Sequence, residues 1–115
     1  MDSDILLDLT PPESVARAAA KGLAWRARFG RGGTHVGVAM AEGLRDRRPV
    51  APETIRRMVS YFARHAVDAR GRDWGNEDRP SAGWIAWHLW GGDAGRDWAL
   101  AMRARMRGEV TSAAG

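Results

Sequence analysis

Apolar residues recur every three or four positions through most of the chain, and turn-forming residues break the pattern into helix-sized pieces. In LTPPESVARAAAKGLAWRARFG, Val15, Ala18, Ala19, Gly22, Trp25 and Phe29 fall on one helical face. Thr10 is placed to cap this helix, Pro11 suits its first position, and Glu13 completes a capping box. Gly30 supplies a left-handed stop. Arg17, Lys21 and Arg28 form a stripe on the other side. Arg26 lies beside the apolar face, where it either reaches out to water along its own stem or awaits a carboxylate or phosphate. RGGT reads as a hinge, and Thr34 as the cap of a second helix over 35–44 with Val36, Ala39, Met40 and Leu44 inward. Gly37 and Gly43 each weaken that helix by roughly 1 kcal/mol relative to alanine. Close approach of another helix would account for them.

RDRRPVAPE is a basic, proline-punctuated turn, and Pro52 opens a third helix. Its core stripe is Ile55, Met58, Val59, Phe62 and Ala66, with Arg57, Ser60 and Arg64 opposite and Arg56 to one side. Residues 67–80 form a long polar loop, with Trp74 either pegging it to the core or exposed for contact. Ser81 caps a fourth helix, SAGWIAWHLW, which Gly91 and Gly92 end. Trp84, Trp87 and His88 take one of its sides, and Ile85 and Leu89 another. A helix apolar on nearly all sides belongs in the middle of a fold. Asp93 is placed to cap a last helix over about 94–107, with Trp98, Met102 and Met106 inward.

The expected fold is therefore all-α: a single compact domain of about five helices over 10–107, with one long polar loop. Residues 1–9 read as an acidic, flexible start and 108–115 as a disordered tail. The 115 residues suffice for one core. No apolar run approaches the ~18 residues of a membrane span. The acidic start does not look like a signal peptide. Cysteine is absent, which excludes disulfides and thiolate chemistry.

Charge changes the picture. Seventeen of the eighteen basic residues are arginine. Residues 1–13 hold Asp2, Asp4, Asp8 and Glu13 and no base, so the rest carries eighteen bases against ten acids, or +8. A basic body suits a polyanionic partner, although arginine with twenty alanines also fits a GC-rich source.

Motifs for chemistry are sparse. Gly30, Arg31, Gly32 and Gly33 lack the ending and the preceding strand of a nucleotide-binding loop, so they read as a hinge. His35, His65 and His88 lack metal-ligand spacing, and no cofactor or metal is expected. His65 and Asp68 stand three apart, able to meet at a helix end. An active site there would need them to converge with Arg64 and a second segment. The two helices flanking the basic turn resemble a helix-turn-helix reader, but ten residues separate Gly43 from Thr54, too many for that motif. Trp25, Trp84, Trp87 and Trp98 follow helical periodicity and read as core; Trp90, against the glycine pair, is the exception.

The blocks GLAWRARFGRGGTHVGVAMAEGL, TIRRMVSYFARHAVD and PSAGWIAWHLWGGDAGRDWA together resemble a small helical domain of tailed phages and prophages, found alone or joined to head-maturation proteases. The likeness covers roughly residues 15–99 and departs at Ala66 and Trp84, where the family suggests charged residues. It implies a phage setting, in the host cytoplasm or the virion, and a compact helical module without a settled activity.

The leading expectation is a non-enzymatic accessory domain, monomeric or weakly associating, that binds nucleic acid, duplex DNA foremost. Its contacts would be Arg45, Arg47 and Arg48 in the turn and Arg56, Arg57 and Arg64 on the third helix. The alternative is a module contacting another phage or host protein through Trp74, Trp90 and the 67–80 loop. A hydrolase or transferase around His65 and Asp68 ranks third.

Overall fold

A computed structural model describes residues 7–108. Five α-helices follow one another: α1 (Glu13–Phe29), α2 (His35–Arg45), α3 (Pro52–His65), α4 (Ala82–Leu89) and α5 (Gly92–Met106), with a 3₁₀ turn at Ala66–Arg70 after α3. No strand occurs among the described residues, and the domain is all-α. None of its described helices is long and apolar enough to cross a membrane.

The short helix α4 is the centre. Ile85 and Leu89 are fully buried and Trp87 nearly so, and only Ala82 of this helix is exposed. The Ser81 hydroxyl caps it by accepting from the Trp84 amide at 3.1 Å. Helix α1 crosses α4 at Gly22, where the α4 backbone comes so close that a Cβ would lie 2.8 Å from the Leu89 nitrogen. Helix α1 also packs on α2 and α5, and α3 packs chiefly on α5. The Gly30–Gly33 segment is a hinge with a packing duty. Gly32 and Gly33 take positive φ and lie against Ile85 and Leu89 of α4. Arg26 clamps this turn, its Nε donating to the Gly32 carbonyl at 2.9 Å. Arg31 donates to the Pro80 carbonyl at 2.9 Å.

Rings fill the space around α4. Trp87 meets Phe62 edge-on with centroids 4.7 Å apart, and its Nε1 donates to Asp93 at 2.8 Å. His88 lies between Trp25 and Trp84 and bonds the Trp84 carbonyl through Nδ1. Burial holds its imidazole below the usual histidine range. Trp74 pegs the 67–80 loop to α4, with centroids 5.3 Å from Trp87 and 6.2 Å from Trp84.

Several expectations need correction. Thr10 does not cap α1. Pro12 takes the cap position, and the Thr10 amide instead donates to Asp8. The domain begins before residue 10: Leu9 is core, Leu7 packs on it, and the Val50 amide donates to the Leu9 carbonyl. The rest of the expected flexible start, residues 1–6, and the expected tail from 109 lie outside the described residues. Helix α2 is rotated from the expected face. Gly37, Ala41 and Leu44 are buried, while Val36 is 51% exposed and Ala39 exposed. The reason is that Gly37, lacking a side chain, receives Leu89 and Trp90, whereas Gly43 has nothing near it. Helix α3 stops at His65, so Ala66 is exposed and leaves the stripe, while Tyr61 joins it. Asp93 does not cap α5; its carboxylate is taken by Trp87. The 67–80 segment is the expected long polar loop, opening with the 3₁₀ turn and ending with the Ser81 amide bonded to the Asp73 carbonyl.

Candidate functional site

The amphipathic pattern of α3 turns one face to the core and leaves Arg57, Ser60 and Arg64 on the other. In the fold this outer face forms one wall of a cleft of about 730 Å³. That volume lies within the range of small-ligand sites. The N-terminal ends of α2 and α4, at Thr34 and Gly83, line it as well, together with Trp90 and Asp68. Helix N-termini carry partial positive charge, which favours an anion in the space they face.

The charged groups of the cleft divide sharply. Arg56 pairs with Glu53 at 3.4 Å, and His65 Nδ1 meets Asp68 at 3.1 Å. The side chains of Arg57 and Arg64 make neither a hydrogen bond nor an ion pair with any described residue, and both residues are exposed. Behind them stands a stack of rings. Tyr61 lies 4.5 Å from Trp90, nearly parallel at 4°, and 4.4 Å from His65 at 26°. The Tyr61 hydroxyl is buried with no hydrogen-bond partner. Burial pushes this phenol above its usual range, the Asp68 carboxylate adds to the shift, and Arg64 opposes it.

An unpartnered buried hydroxyl destabilises the fold, so its removal should cost nothing. Tyr61→Phe, which keeps the stack, is expected to leave stability unchanged or raise it by up to about 1 kcal/mol. Urea unfolding checks this. A loss of more than about 1 kcal/mol would show that the hydroxyl has a partner in solution.

Of the six arginines expected to contact nucleic acid, the cleft gathers Arg56, Arg57 and Arg64. The turn arginines are elsewhere engaged. Arg45 and Arg48 both bond Asp46, at 2.9 and 3.0 Å, and hold its carboxyl below the usual carboxylate range. Arg47, at a positive φ of 53°, donates through Nε to the Pro11 carbonyl at 2.8 Å and so fastens the turn to the N-terminal segment. The helix-turn-helix likeness goes no further, because the outer face of α3 is the wall of a concavity and not a free ridge. Trp74 and Trp90, the anchors of the alternative, are packed: Trp90 is 9% exposed under Tyr61, and Trp74 rests on α4.

The structure does bring Arg64, His65 and Asp68 together with a second segment, since Gly83 of α4 approaches Asp68 closely. The Asp68 carboxylate holds the imidazole by Nδ1 and leaves Nε2 for other work. The three-residue spacing of this pair was readable in the sequence. The stack on Tyr61 and the helix ends lining the cleft were not. No group of three or more histidine, aspartate or glutamate residues suited to a metal ion occurs among the described residues. No family model, curated protein or solved structure matches the chain.

Proposed function

We propose that this domain binds nucleic acid through phosphate at the α3 cleft, as a non-enzymatic accessory module. One observation carries the reading. Arg57 and Arg64 are the cleft's only charged residues without a partner among the described residues, and they stand in a chain with formal charge +4. Exposed cations held on one rigid helix are what a phosphate backbone pairs with. The phage setting rests on the sequence resemblance.

The double variant Arg57→Ala, Arg64→Ala tests the reading. Affinity should fall linearly with salt in log–log form, with a slope near −0.9 per phosphate contacted on duplex DNA and about −0.7 on a single strand. The double variant should lose about two contacts' worth of slope and bind all sequences more weakly. Both residues are exposed, so stability should stay within about 0.5 kcal/mol. Arg45→Ala with Arg48→Ala should change the slope less, because Asp46 already occupies those guanidiniums. No binding at low salt by the intact chain would overturn the proposal.

A second reading is favoured by the His65–Asp68 pair in the same cleft. A carboxylate-held imidazole beside two free arginines is an arrangement that hydrolases and transferases of phosphate esters use. That reading expects turnover of a phosphate ester that falls at least about 100-fold in Asp68→Asn. The pair's other ring nitrogen has no hydroxyl bonded to it among the described residues, so the binding reading ranks first.

A further inference from the structure

We infer that the cleft takes an unpaired nucleotide of a single strand, its base laid on the His65 ring and its phosphate between Arg57 and Arg64. The inference rests on the nucleic-acid reading and narrows it to a class of ligand.

Three observations lead there. The first is shape. The free arginines line a concavity that two helix N-terminal ends also line. A duplex presents its phosphates on a broad convex cylinder, and its bases are covered above and below by their neighbours. A single strand can send one nucleotide into a cleft and expose both faces of its base.

The second is the ring stack. Trp90 and His65 both lie parallel or nearly so to Tyr61, within 4.5 Å, and do not meet each other as a ring pair, so Tyr61 is the middle layer. His65 is the outer layer, and its side chain is 41% exposed. Asp68 fixes the imidazole through Nδ1, His65 lines the cleft, and no described ring other than Tyr61 stacks on it. A column of three stacked rings whose last member is part-exposed in the cleft offers a place for a fourth. Stacking of bases on aromatic side chains is the general device for holding single strands, because every base has a face to offer.

The third is the buried Tyr61 hydroxyl. Only 5% of Tyr61 is exposed, yet its hydroxyl finds no partner, while a phenylalanine would fill the same space without that burden. The stack with Trp90 and His65 holds the ring in place regardless, and Tyr61 lines the same cleft as Arg57 and Arg64.

Fluorescence anisotropy with the full chain, a labelled oligothymidylate and the same strand annealed to its complement tests the inference at low salt. The single strand should bind at least about tenfold more tightly than the duplex. His65→Ala should weaken single-strand binding about five- to 150-fold, the range of one base stacked on one aromatic ring. His65→Phe, which keeps an aromatic face, should stay within about threefold of the wild type. A strand of equal length without bases keeps its phosphates and should bind as weakly as the His65→Ala complex.

The outcomes separate the two claims. Equal or tighter binding of the duplex would overturn the single-strand inference while leaving the phosphate reading standing. So would a base-free strand that binds like oligothymidylate, or a folded His65→Phe that loses binding as alanine does. Failure of both strand and duplex to bind would overturn both. Because the base-free strand needs no protein variant, instability of His65→Ala does not weaken the test.

Discussion

Replacing Trp87 with alanine should destabilise the domain by about 3–5 kcal/mol, the usual cost of emptying a large aromatic site in a core. A domain of this size holds only about 5–15 kcal/mol in all. Trp87 is 3% exposed and touches three rings from two elements: Phe62 and Tyr61 of α3, and Trp74 of the loop. Its loss would leave those rings facing a void, and α4, packed along α1 and on α2 and α5, is not free to collapse into it. Trp87→Phe keeps one aromatic ring and loses only part of the volume. It removes the bond to Asp93, whose carboxylate is 75% exposed and can be rehydrated, so the cost should stay under about 1.5 kcal/mol. Urea midpoints at constant slope measure both. An alanine variant that loses less than about 1 kcal/mol would mean that the aromatic cluster repacks freely.

Gly22→Ala is the second large effect expected, and its sign runs against local preference. Alanine is the better helix former by roughly 1 kcal/mol. In α1, however, the added methyl would meet backbone atoms of α4, the Leu89 nitrogen at 2.8 Å and the His88 carbonyl carbon at 2.9 Å. Backbone cannot swing aside as a side-chain tip can, so the two helices must part. Overpacking of this kind costs typically 1–3 kcal/mol, sometimes more. The net expectation is a loss of about 2 kcal/mol, seen as a fall in melting temperature of roughly 8 °C or more. Gly43→Ala is the matched control, in a helix with nothing within 4 Å of the new methyl. It should gain about 0.5–1 kcal/mol. If both variants shifted in the same direction, helix propensity and not the α1–α4 crossing would govern these positions.

The two glycines show what the sequence disclosed and what it did not. Helical periodicity places Val15, Ala19 and Trp25 on one face of α1, and Ile55, Met58 and Phe62 on one face of α3, because each face is covered along its length. The pattern of α4, apolar on nearly all sides, likewise announces a central helix. Periodicity failed in α2 because it weighs side chains, and the surface that α4 uses there is the bare backbone of Gly37. It also passed over Tyr61, whose polar tip disguises a ring that is 5% exposed. At the site, Arg57, Ser60 and Arg64 share a face by spacing alone, and His65 and Asp68 are one helical turn apart. The rest of the cleft lining comes from helices distant in sequence, which no local pattern encodes. The neutralised turn was partly legible after all: Arg45 and Arg48 flank Asp46 within three residues, and a carboxylate so placed claims its neighbours.

The central place of α4 bears on how the chain is made. Synthesis runs from the N-terminus at about 5–20 residues per second. Helices α1, α2 and α3 are therefore complete before the helix they surround exists. The faces of α1 and α2 that pack on α4 must wait for Trp87 and Leu89 to emerge. A nascent chain that ends before residue 89 has three amphipathic helices and nothing to wrap. Folding of this domain is therefore a late event that waits for α4, and a product cut before residue 89 leaves the faces that pack on α4 uncovered.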